Sequence, residues 1–450
     1  MNELFGTDGI RGEVNQYPMT AEIAFNLGKA IGYYYSNINN RQILIGKDTR
    51  LSGDMLESAL IAGLCSTGVD VINAGIITTP AIAYLTKYCK AIMGIVISAS
   101  HNPYYDNGIK FFNSNGYKID SIHEKRIEEI LINEKYKKYK IPGKKIGKVY
   151  HLKESKDIYR KYLFNSIAGN IEKNDFRIIF DCANGASSEV IEDLFHRFNN
   201  NFKVINNSPN GININQKCGS TCMNSLQKEV LREKADLGFA FDGDADRVLA
   251  VDEKGQVVDG DQIMVIYTGA FLKEGQLGNN VIVTTYMSNL GFDETIEEIG
   301  GKVIRTNIGD KYVLKEMIEK KSCLGGEQSG HIIFLKKSPN GDGIITSLQL
   351  LRALNKNDEK VSLQAARMKK YHQMLLNYHI ENKLSFLCSK EFNEIKKELK
   401  SILKDNGRIL IRPSGTENKI RILLESKDKG IIDNLGKQLN SFIEIYKKKY

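Results

Sequence analysis

Apolar and polar positions alternate along the first third of the chain in a way that predicts strands and helices in turn. Residues 41–46, RQILIG, have the apolar run of a strand, and residues 53–68 carry an apolar stripe at helical spacing. A strand at 69–75 and a helix at 80–89 follow, before a continuous apolar run at 91–99 that is typical of a buried strand. This alternation predicts crossover units and a largely parallel sheet.

Two further cycles of the same kind follow a lysine-rich segment. In the second cycle, residues 177–181 predict a strand, 187–198 a helix and 237–241 another strand. A third cycle begins near Gly260 and closes with a helical pattern at 342–355. The C-terminal part differs, because two strands around a polar turn lie between two helices. The pattern therefore predicts an α/β fold with three similar mixed α/β domains and a smaller C-terminal α+β domain, with boundaries at 1–150, 151–257, 258–366 and 367–450.

Composition narrows the class of protein. At 450 residues, of which 42% are hydrophobic and 26% charged, the chain suits several packed domains of a soluble protein. No apolar run reaches the ~18 residues of a membrane span. The N-terminal MNELFGTDGIRG lacks the basic start and apolar core of a secretory signal. We therefore expect a cytoplasmic protein with no membrane partner.

Cysteine spacing and net charge exclude further classes. The seven cysteines are scattered and include no C-x-x-C pair, so we expect reduced thiols rather than disulfides or a zinc site. The net charge of +9 is most concentrated at residues 134–148, where lysines and tyrosines interleave. Such a segment is able to contact nucleic acid, but it is more often a solvated surface. Because no other nucleic-acid motif is present, we expect no nucleic-acid partner.

The run GIVISASHNPYYDNGIKFF, residues 94–112, ends a buried strand in polar groups rather than in a simple turn. Ligands collect at strand ends in α/β sheets. Ser98 and Ser100 offer hydroxyls there and His101 offers an imidazole, while Lys110 lies in the apolar run that follows. A serine can act as a covalent nucleophile if its proton has an acceptor and its product is stabilised. The alternative is a Ser/Asn turn that caps the next element.

The segment FAFDGDADRVLAVD brings Asp242, Asp244 and Asp246 close together. Three adjacent carboxylates repel one another, so a bound cation is the natural explanation, and all-oxygen ligation favours Mg²⁺ or Ca²⁺. Glu253 has the spacing of the last EF-hand ligand, but Arg247 occupies the place of the turn glycine and the flanks have strand patterns. Mg²⁺, which usually binds together with phosphate, is therefore the expected cofactor. The alternative is an exposed acidic turn.

A third polar segment, LGGEQSGHIIF, spans residues 324–334. Glu327, Ser329 and His331 alternate in it, so an extended chain would project them from one face. Glu and Ser suit the hydroxyls of a sugar, and a histidine suits proton transfer near neutral pH. The alternative is a glycine-rich hairpin with a core histidine.

A fourth polar segment, IRPSGTENKIR, suits a phosphate. Arg412 and Arg421 offer forked donors. A backbone nest for an anion is expected at Ser414, Gly415 and Thr416. No G-x-x-x-x-G-K-[ST] sequence occurs, so a P-loop nucleotide enzyme is disfavoured.

Together the four segments supply a serine acceptor, a divalent-cation site, a ligand for hydroxyls and a second phosphate clamp. This combination predicts phosphoryl transfer on a phosphosugar. A noncatalytic sugar-phosphate sensor is the competing class, and it would bind such a ligand without turnover.

The motifs SASHNP, DGDADR, GGEQSGH and RPSGTE follow LFGTDGIRG in an order and spacing that resemble the α-D-phosphohexomutase family over nearly the whole chain. The resemblance implies three related α/β domains and a smaller fourth domain around one central cleft, and an isomerase with a phosphoserine and Mg²⁺. In having Gln328 the sequence resembles the members that act on glucosamine phosphates. Many members that act on mannose or glucose phosphates have methionine at that position. Ala245 stands where many relatives have glycine.

The implied reaction interconverts glucosamine 6-phosphate and glucosamine 1-phosphate through glucosamine 1,6-bisphosphate, and it feeds UDP-N-acetylglucosamine and cell-wall precursor synthesis. Activity on mannose and glucose phosphates is the alternative. Members of the family are often dimers, so a homodimer is the assembly that the resemblance implies, although no segment of the sequence marks an interface.

The resemblance also implies a role for individual residues, with Ser100 as the phosphoryl carrier. The implied catalytic residues are Ser100, His101, Lys110, His331 and Arg11. The implied substrate contacts are Thr7, Arg247, Glu327, Ser329, Arg412, Ser414, Gly415, Thr416 and Arg421. The implied Mg²⁺ ligands are Ser100, Asp242, Asp244 and Asp246. Which of Lys110, His101 and His331 acts as base or acid stays open.

Overall fold

The computed structural model describes residues 4–6, 8–39, 41–167, 176–198, 201–357, 359–413 and 418–449. The chain forms two compact units. The first comprises Met1–Tyr286 and Gly301–Ala366, and the second comprises Met287–Gly300 and Arg367–Tyr450. Among the described residues, no helix is both long and apolar enough to cross a membrane. All seven cysteines are free, as the sequence predicted.

The first sheet lies in the first unit. Its strands are β1 (Ile10–Glu13), β2 (Gln42–Lys47), β3 (Asp70–Ile76), β4 (Met93–Ile97), β5 (Asp106–Asn113) and β6 (Val149–His151), and the accompanying helices are α1 (Ala21–Tyr34), α2 (Gly53–Cys65), α3 (Thr79–Tyr88) and α4 (Ser121–Ile132). The strand order is β1-β5-β4-β2-β3-β6. The four strands from β4 to β6 in that order are parallel, whereas β5 and β1 are antiparallel additions.

The second and third sheets complete the first unit. The second has α5 (Ser155–Ile167), β7 (Ile178–Asp181), α6 (Ile191–Phe195), β8 (Phe202–Ile205), α7 (Asn224–Glu233), β9 (Leu237–Phe241), β10 (Val248–Asp252) and β11 (Val257–Val258), in the strand order β11-β10-β9-β7-β8. The third has α8 (Gly260–Lys273), β12 (Val281–Thr285), β13 (Lys302–Thr306), α10 (Asp310–Lys320), β14 (Leu324–Gly326), β15 (Ile332–Phe334), α11 (Gly343–Asn357) and α12 (Val361–Ala365), in the order β13-β12-β14-β15.

The second unit is an α+β fold with an antiparallel sheet. It contains α9 (Leu290–Glu298), β16 (His372–His379), α13 (Lys383–Cys388), α14 (Lys390–Leu403), β17 (Gly407–Pro413), β18 (Lys419–Ser426) and α15 (Lys429–Lys449), with the strand order β16-β18-β17. The apolar faces of α14 and α15 share one core with the sheet, as Leu399, Leu439 and Ile422 show. The buried Glu425 carboxylate accepts hydrogen bonds from the Leu290 amide and from Arg408, so α9 is fixed to this sheet.

The fold class predicted from the sequence is confirmed, with two local corrections. The first sheet is largely parallel, as predicted for this part of the chain, but each of the first three sheets also contains antiparallel strands, because a hairpin follows the polar end of a parallel strand. The helix predicted at 187–198 is instead a short 3₁₀ turn at Ala186–Glu189 followed by the brief helix α6. Val190 between them has φ −123° and ψ −42°, which is outside helical geometry, so the helical path is interrupted there.

The parallel strands β2 and β4 are neighbours, so their carboxyl ends meet at one edge of the first sheet. Residues 48–50 therefore lie beside residues 98–100, and the amide of Asp48 bonds the carbonyl of Ile97. This edge is where the polar ends of the first sheet and the aspartate-rich hairpin of the second sheet come into contact.

A buried carboxyl group at the start of α11 makes stability depend on pH. The Oδ1 atom of Asp342 accepts from the amides of Ile344 and Ile345, and Oδ2 accepts from the Tyr159 hydroxyl at 2.6 Å. Burial raises the pKa of Asp342 to about 6. The folded state therefore favours the protonated form. The protonated carboxyl group therefore contributes to the free energy of unfolding. This contribution is fully present below the ordinary pKa near 4 and is lost as the pH rises through 6.

We expect Asp342→Asn to remove this dependence, because asparagine keeps the cap and does not titrate. From pH 4 to pH 7 the variant should gain about 3 kcal/mol of unfolding free energy relative to the parent. Urea titrations at several pH values measure this difference. Asp120→Asn, at the exposed N-cap of α4, is the control and should not change the slope in this range. Parallel pH profiles of the parent and Asp342→Asn would contradict the prediction.

Candidate active site

Ser100 lies in the loop after β4 and is completely buried. Its φ of +53° is in the left-handed region, which a side chain with a Cβ rarely adopts. The Ser98 hydroxyl accepts from the Ser100 amide at 2.9 Å and donates to Asp48 at 2.6 Å. The Ser100 hydroxyl donates to Asp242 Oδ2 at 2.6 Å, whereas His101 Nδ1 is 3.4 Å away. The loop thus aims its hydroxyl at the aspartate triad.

The triad is held by the hairpin of β9 and β10, as the strand pattern of its flanks predicted. Carboxylate oxygens of Asp242, Asp244 and Asp246 lie within 4.8 Å of one another, and all three residues are buried. The Oδ1 atoms of Asp244 and Asp246 have no hydrogen-bond partner among the described residues. Burial, together with repulsion from Asp246 and Asp244, raises the pKa of Asp242 well above its ordinary value. Unpartnered buried carboxylate oxygens fit a divalent cation.

The EF-hand alternative is excluded by the position of Glu253. Its carboxylate accepts from the hydroxyl of Ser362 at 2.5 Å and from the amide of the same residue at 3.2 Å. The Glu253 carboxylate therefore bonds Ser362 and does not join the three aspartates as a ligand of a cation. Ala245 in the hairpin has φ +57°, in the left-handed region that favours glycine.

Lys110, on β5, supplies the positive charge closest to the triad. Its Nζ atom lies 2.9 Å from Asp244, 3.2 Å from Asp246 and 3.3 Å from Asp8. Burial alone would lower the pKa of Lys110, but the carboxylates of Asp244, Asp246 and Asp8 raise it well above its ordinary value. The side chain is only 1% exposed, so its role is to neutralise buried carboxylates.

A chain of charged groups continues from Lys110 to the histidine of the third sheet. Asp8 forms ion pairs with Lys118 and, at 2.8 Å, with Arg11. Lys118 also lies 2.5 Å from Asp310, whose Oδ2 atom is 3.5 Å from His331 Nε2. Acidic and basic groups therefore alternate between the triad and His331.

The segment predicted to be extended at residues 327–331 is a tight hairpin turn between β14 and β15. The amide of Gly330 bonds the carbonyl of Glu327, and Gly330 has φ +91°, which the missing Cβ permits. As a result, Ser329 is exposed and His331 is buried, so they do not share a face. The Glu327 carboxylate accepts from Ser329 at 3.2 Å and from the amide of Gly309 at 3.1 Å.

His101 and Arg247 adjoin Ser100 from the other side. Arg247 Nη1 lies 3.3 Å from His101 Nδ1, and its Nε atom lies 3.7 Å from Asp246. Burial, followed by the charges of Arg247 and Arg11, lowers the pKa of His101 to about 4. His101 is thus neutral at neutral pH, and its Nδ1 is an acceptor for the guanidinium.

The arginines of the fourth segment lie in the second unit. Arg412 on β17 and Arg421 on β18 are directly opposite each other in the antiparallel register, and both are exposed. Ser414, Gly415 and Thr416 lie outside the described residues, as does Thr7.

Several residues of the site were not identified from the sequence. Asp48 and Arg50 follow β2, and the strand-end rule that identified Ser100 would have found them too. Asp8 belongs to the FGTDGIRG motif, from which only Thr7 and Arg11 were taken. Lys118 and Asp310 have no sequence signal, because each is a single charge next to an ordinary helix.

Family models match all four parts of this architecture. They describe phosphoglucomutase/phosphomannomutase alpha/beta/alpha domain I at residues 2–138, domain II at 157–255, domain III at 259–371 and the C-terminal domain at 356–440. The chain belongs to the phosphoglucomutase/phosphomannomutase family. Similar proteins include the phosphoglucosamine mutase of Acetivibrio thermocellus, which is 47% identical over 99% of both chains, and that of Geobacter sp., which is 42% identical over 99% of this chain and 98% of the other.

Solved structures share the fold. A phosphoglucomutase/phosphomannomutase family protein from Burkholderia thailandensis matches with a TM-score of 0.80 at 20% identity, over 99% of this chain and 98% of that chain. Aspergillus fumigatus N-acetylphosphoglucosamine mutase, solved in complex with GlcNAc-6P and magnesium, matches with a TM-score of 0.68 at 17% identity, over 98% of this chain and 95% of that chain. At these identities the match establishes the fold alone.

Proposed function

We propose that this chain is an isomerase that interconverts glucosamine 6-phosphate and glucosamine 1-phosphate, with the activity of a phosphoglucosamine mutase. The observation that carries the proposal is the buried Ser100 hydroxyl, 2.6 Å from Asp242 at the edge of three clustered carboxylates. Family membership and relatives at 42–47% identity that bear this name support the choice of substrate.

Ser100 carries the phosphoryl group. Its Oγ–P bond breaks as a bond to O1 of glucosamine 6-phosphate forms, which leaves a bound 1,6-bisphosphate and the serine hydroxyl. After the intermediate turns end for end, the 6-phosphoryl group returns to Ser100 and glucosamine 1-phosphate leaves. Asp242, Asp244 and Asp246 would hold Mg²⁺, which would neutralise charge on the transferring group. Arg247 and Lys110 add positive charge from the protein itself.

Proton transfer falls to His331 in this proposal. Lys110 is bound in three ion pairs and its pKa is raised, so it is a poor proton acceptor. The Nδ1 atom of His101 faces a guanidinium. The Nε2 atom of His331 lies 3.5 Å from Asp310 Oδ2, and its Nδ1 atom is buried without a hydrogen-bond partner among the described residues.

The sugar and the second phosphate have separate ligands. Glu327 and Ser329 are the proposed contacts of the sugar hydroxyls, and the amide of Gly309 orients the Glu327 carboxylate. Arg412 and Arg421 are the proposed clamp for the phosphate that is not reacting, because arginines offer forked donors and these two lie opposite each other on neighbouring strands. Ser414, Gly415, Thr416 and Thr7 remain proposed contacts on the resemblance alone, and Arg11 is proposed to orient the transferring group.

A coupled assay on three sugar phosphates tests the choice of substrate. With Mg²⁺ and a trace of the 1,6-bisphosphate, we expect kcat/KM for glucosamine 6-phosphate to exceed that for glucose and mannose 6-phosphates by about 10-fold or more. Preference for glucose or mannose phosphates would keep the mechanism and assign the alternative activity. Binding of all three without turnover would identify a sensor instead. A cytoplasmic location and a homodimer remain predictions, which cell fractionation and light scattering would test.

A further inference from the structure

The backbone carbonyl of Ser100 is held by two side chains that no step above uses. Arg50 Nη2 donates to the carbonyl of Ser100 at 2.9 Å and to that of Asn102 at 2.8 Å. Asn215 Nδ2 donates to the same two oxygens, at 2.8 and 3.0 Å. Arg50 follows β2 in the first sheet, whereas Asn215 lies in the loop after β8 in the second. Residues of the first and the second sheet regions therefore bond the same two carbonyl oxygens of the serine loop.

The other donors of Arg50 bond the end of the serine loop and Asp48. Its Nη1 atom donates to the carbonyl of Asp106 at 3.0 Å and to that of Pro103. Its Nε atom donates to Asp48 Oδ2, which also accepts from the Ser98 hydroxyl. The side chain of Arg50 is fully buried. The planar fork of arginine is needed for this set of acceptors, and the single ammonium of lysine does not reproduce it.

The Ser100 carbonyl also lies close to the triad hairpin. A Cβ on Gly243 of that hairpin would lie 2.6 Å from the carbonyl oxygen, so the two backbones are in close contact. The left-handed backbone of Ser100, with φ +53°, is unfavourable for a residue with a Cβ. The hydrogen bonds from Arg50 and Asn215 offset this cost, and the backbone they hold points the Ser100 hydroxyl at Asp242.

We propose that Arg50 and Asn215 are positioning residues for phosphoryl transfer, which hold the Ser100 carbonyl so that its hydroxyl stays at the cation site. The inference rests on the proposed function, because it takes Ser100 as the phosphoryl carrier. Neither side chain touches the reacting atoms. A displacement of about 1 Å of the carrier oxygen lowers a transfer rate by about 100-fold.

The test compares Arg50→Lys and Asn215→Gly with matched controls. Glycine tolerates the φ of +57° at position 215, and Lys217→Gly, at φ +55° on an exposed residue of the same loop, is its control. Arg160→Lys is the control for the arginine, because Arg160 is also buried and bonds acidic groups outside the serine loop. The readouts are kcat, KM, melting temperature and the single-turnover rate at which glucosamine 1,6-bisphosphate phosphorylates the dephosphorylated protein.

We expect Arg50→Lys to lower kcat and the single-turnover rate by about 100-fold, and Asn215→Gly by about 10-fold, with KM changed by less than about 2-fold. The effects should not add in the double variant, because both side chains hold the same two carbonyls. The two controls should keep the parent's kcat. If Arg50→Lys does not fold, Asn215→Gly decides the matter.

Two results would overturn the inference. If Ser100→Ala is inactive while Asn215→Gly and Arg50→Lys keep the parent's kcat and change only the melting temperature, the positioning role is wrong and the proposed function stands. If Ser100→Ala retains full activity, the proposed mechanism and this inference fail together.

Discussion

Ser100→Ala is expected to lower the turnover of glucosamine 6-phosphate by at least about 10⁴-fold, because the variant lacks the hydroxyl that carries the phosphoryl group in the proposed mechanism. The measurement is the coupled assay for glucosamine 1-phosphate, with Mg²⁺ and a trace of bisphosphate. Intact-protein mass spectrometry after incubation with the bisphosphate should show one added phosphoryl group on the parent and none on the variant. KM has no meaning for an inactive variant, so binding should be followed by calorimetry.

The control for this variant is Ser114→Ala, at an exposed serine just after β5. It should keep both the turnover and the added mass of the parent. Equal turnover in Ser100→Ala and the parent would contradict the phosphoserine mechanism. A phosphoryl group found on another residue would move the carrier elsewhere in the chain.

Lys110→Met is expected to lower the free energy of unfolding by about 3–5 kcal/mol in the absence of divalent cations. The substitution keeps the length of the side chain but leaves Asp244, Asp246 and Asp8 without their shared ammonium in a buried site. A divalent cation at the triad replaces part of that charge. Mg²⁺ should therefore raise the melting temperature of the variant by more than it raises that of the parent. Turnover should fall as well, since Lys110 adds charge beside the transferring group.

The matched control is Lys47→Met. Lys47 is also buried and pairs with Asp54 and Glu57 at 2.6 and 2.5 Å, away from the triad. It should lose stability without a larger response to Mg²⁺. Melting curves in EDTA and in MgCl₂ make the comparison. If Mg²⁺ raises the melting temperature of both variants equally, a cation at the triad does not replace the charge of Lys110, and the prediction is wrong.

Much of the fold could be predicted from the sequence because its signals are local. Buried strands such as residues 93–97 are continuous apolar runs, and helices such as α2 carry an apolar stripe. The predicted helix at 187–198 was wrong because the backbone leaves helical geometry at Val190, with φ −123°, which a count of apolar positions does not register. Some antiparallel strands were missed for another reason. The short strand β1, for example, pairs with β5 about 100 residues further along the chain, and no local pattern records that pairing.

The candidate site was predicted in its parts rather than in its arrangement. Ser100 and the three aspartates were each identified by chemistry that is unusual for a turn, and the structure brings Ser100 to Asp242. His101 was a reasonable partner for Ser100 by adjacency in sequence. The Ser100 hydroxyl nevertheless lies closer to Asp242, which is 142 positions away in the sequence, than to the ring of His101.

By itself, the sequence determined most of the buried parallel strands, the polar ends of strands and the side chains able to carry a phosphoryl group or hold a cation. Tertiary structure alone decided how charges that are far apart in sequence neutralise one another, as Lys118 does between Asp8 and Asp310. It also decided which buried groups hold a loop in place, as Arg50 and Asn215 do for Ser100. The physical reason is that periodicity and motif spacing record local conformation, whereas a buried charge or amide is satisfied only by whichever distant groups folding brings within about 3 Å of it.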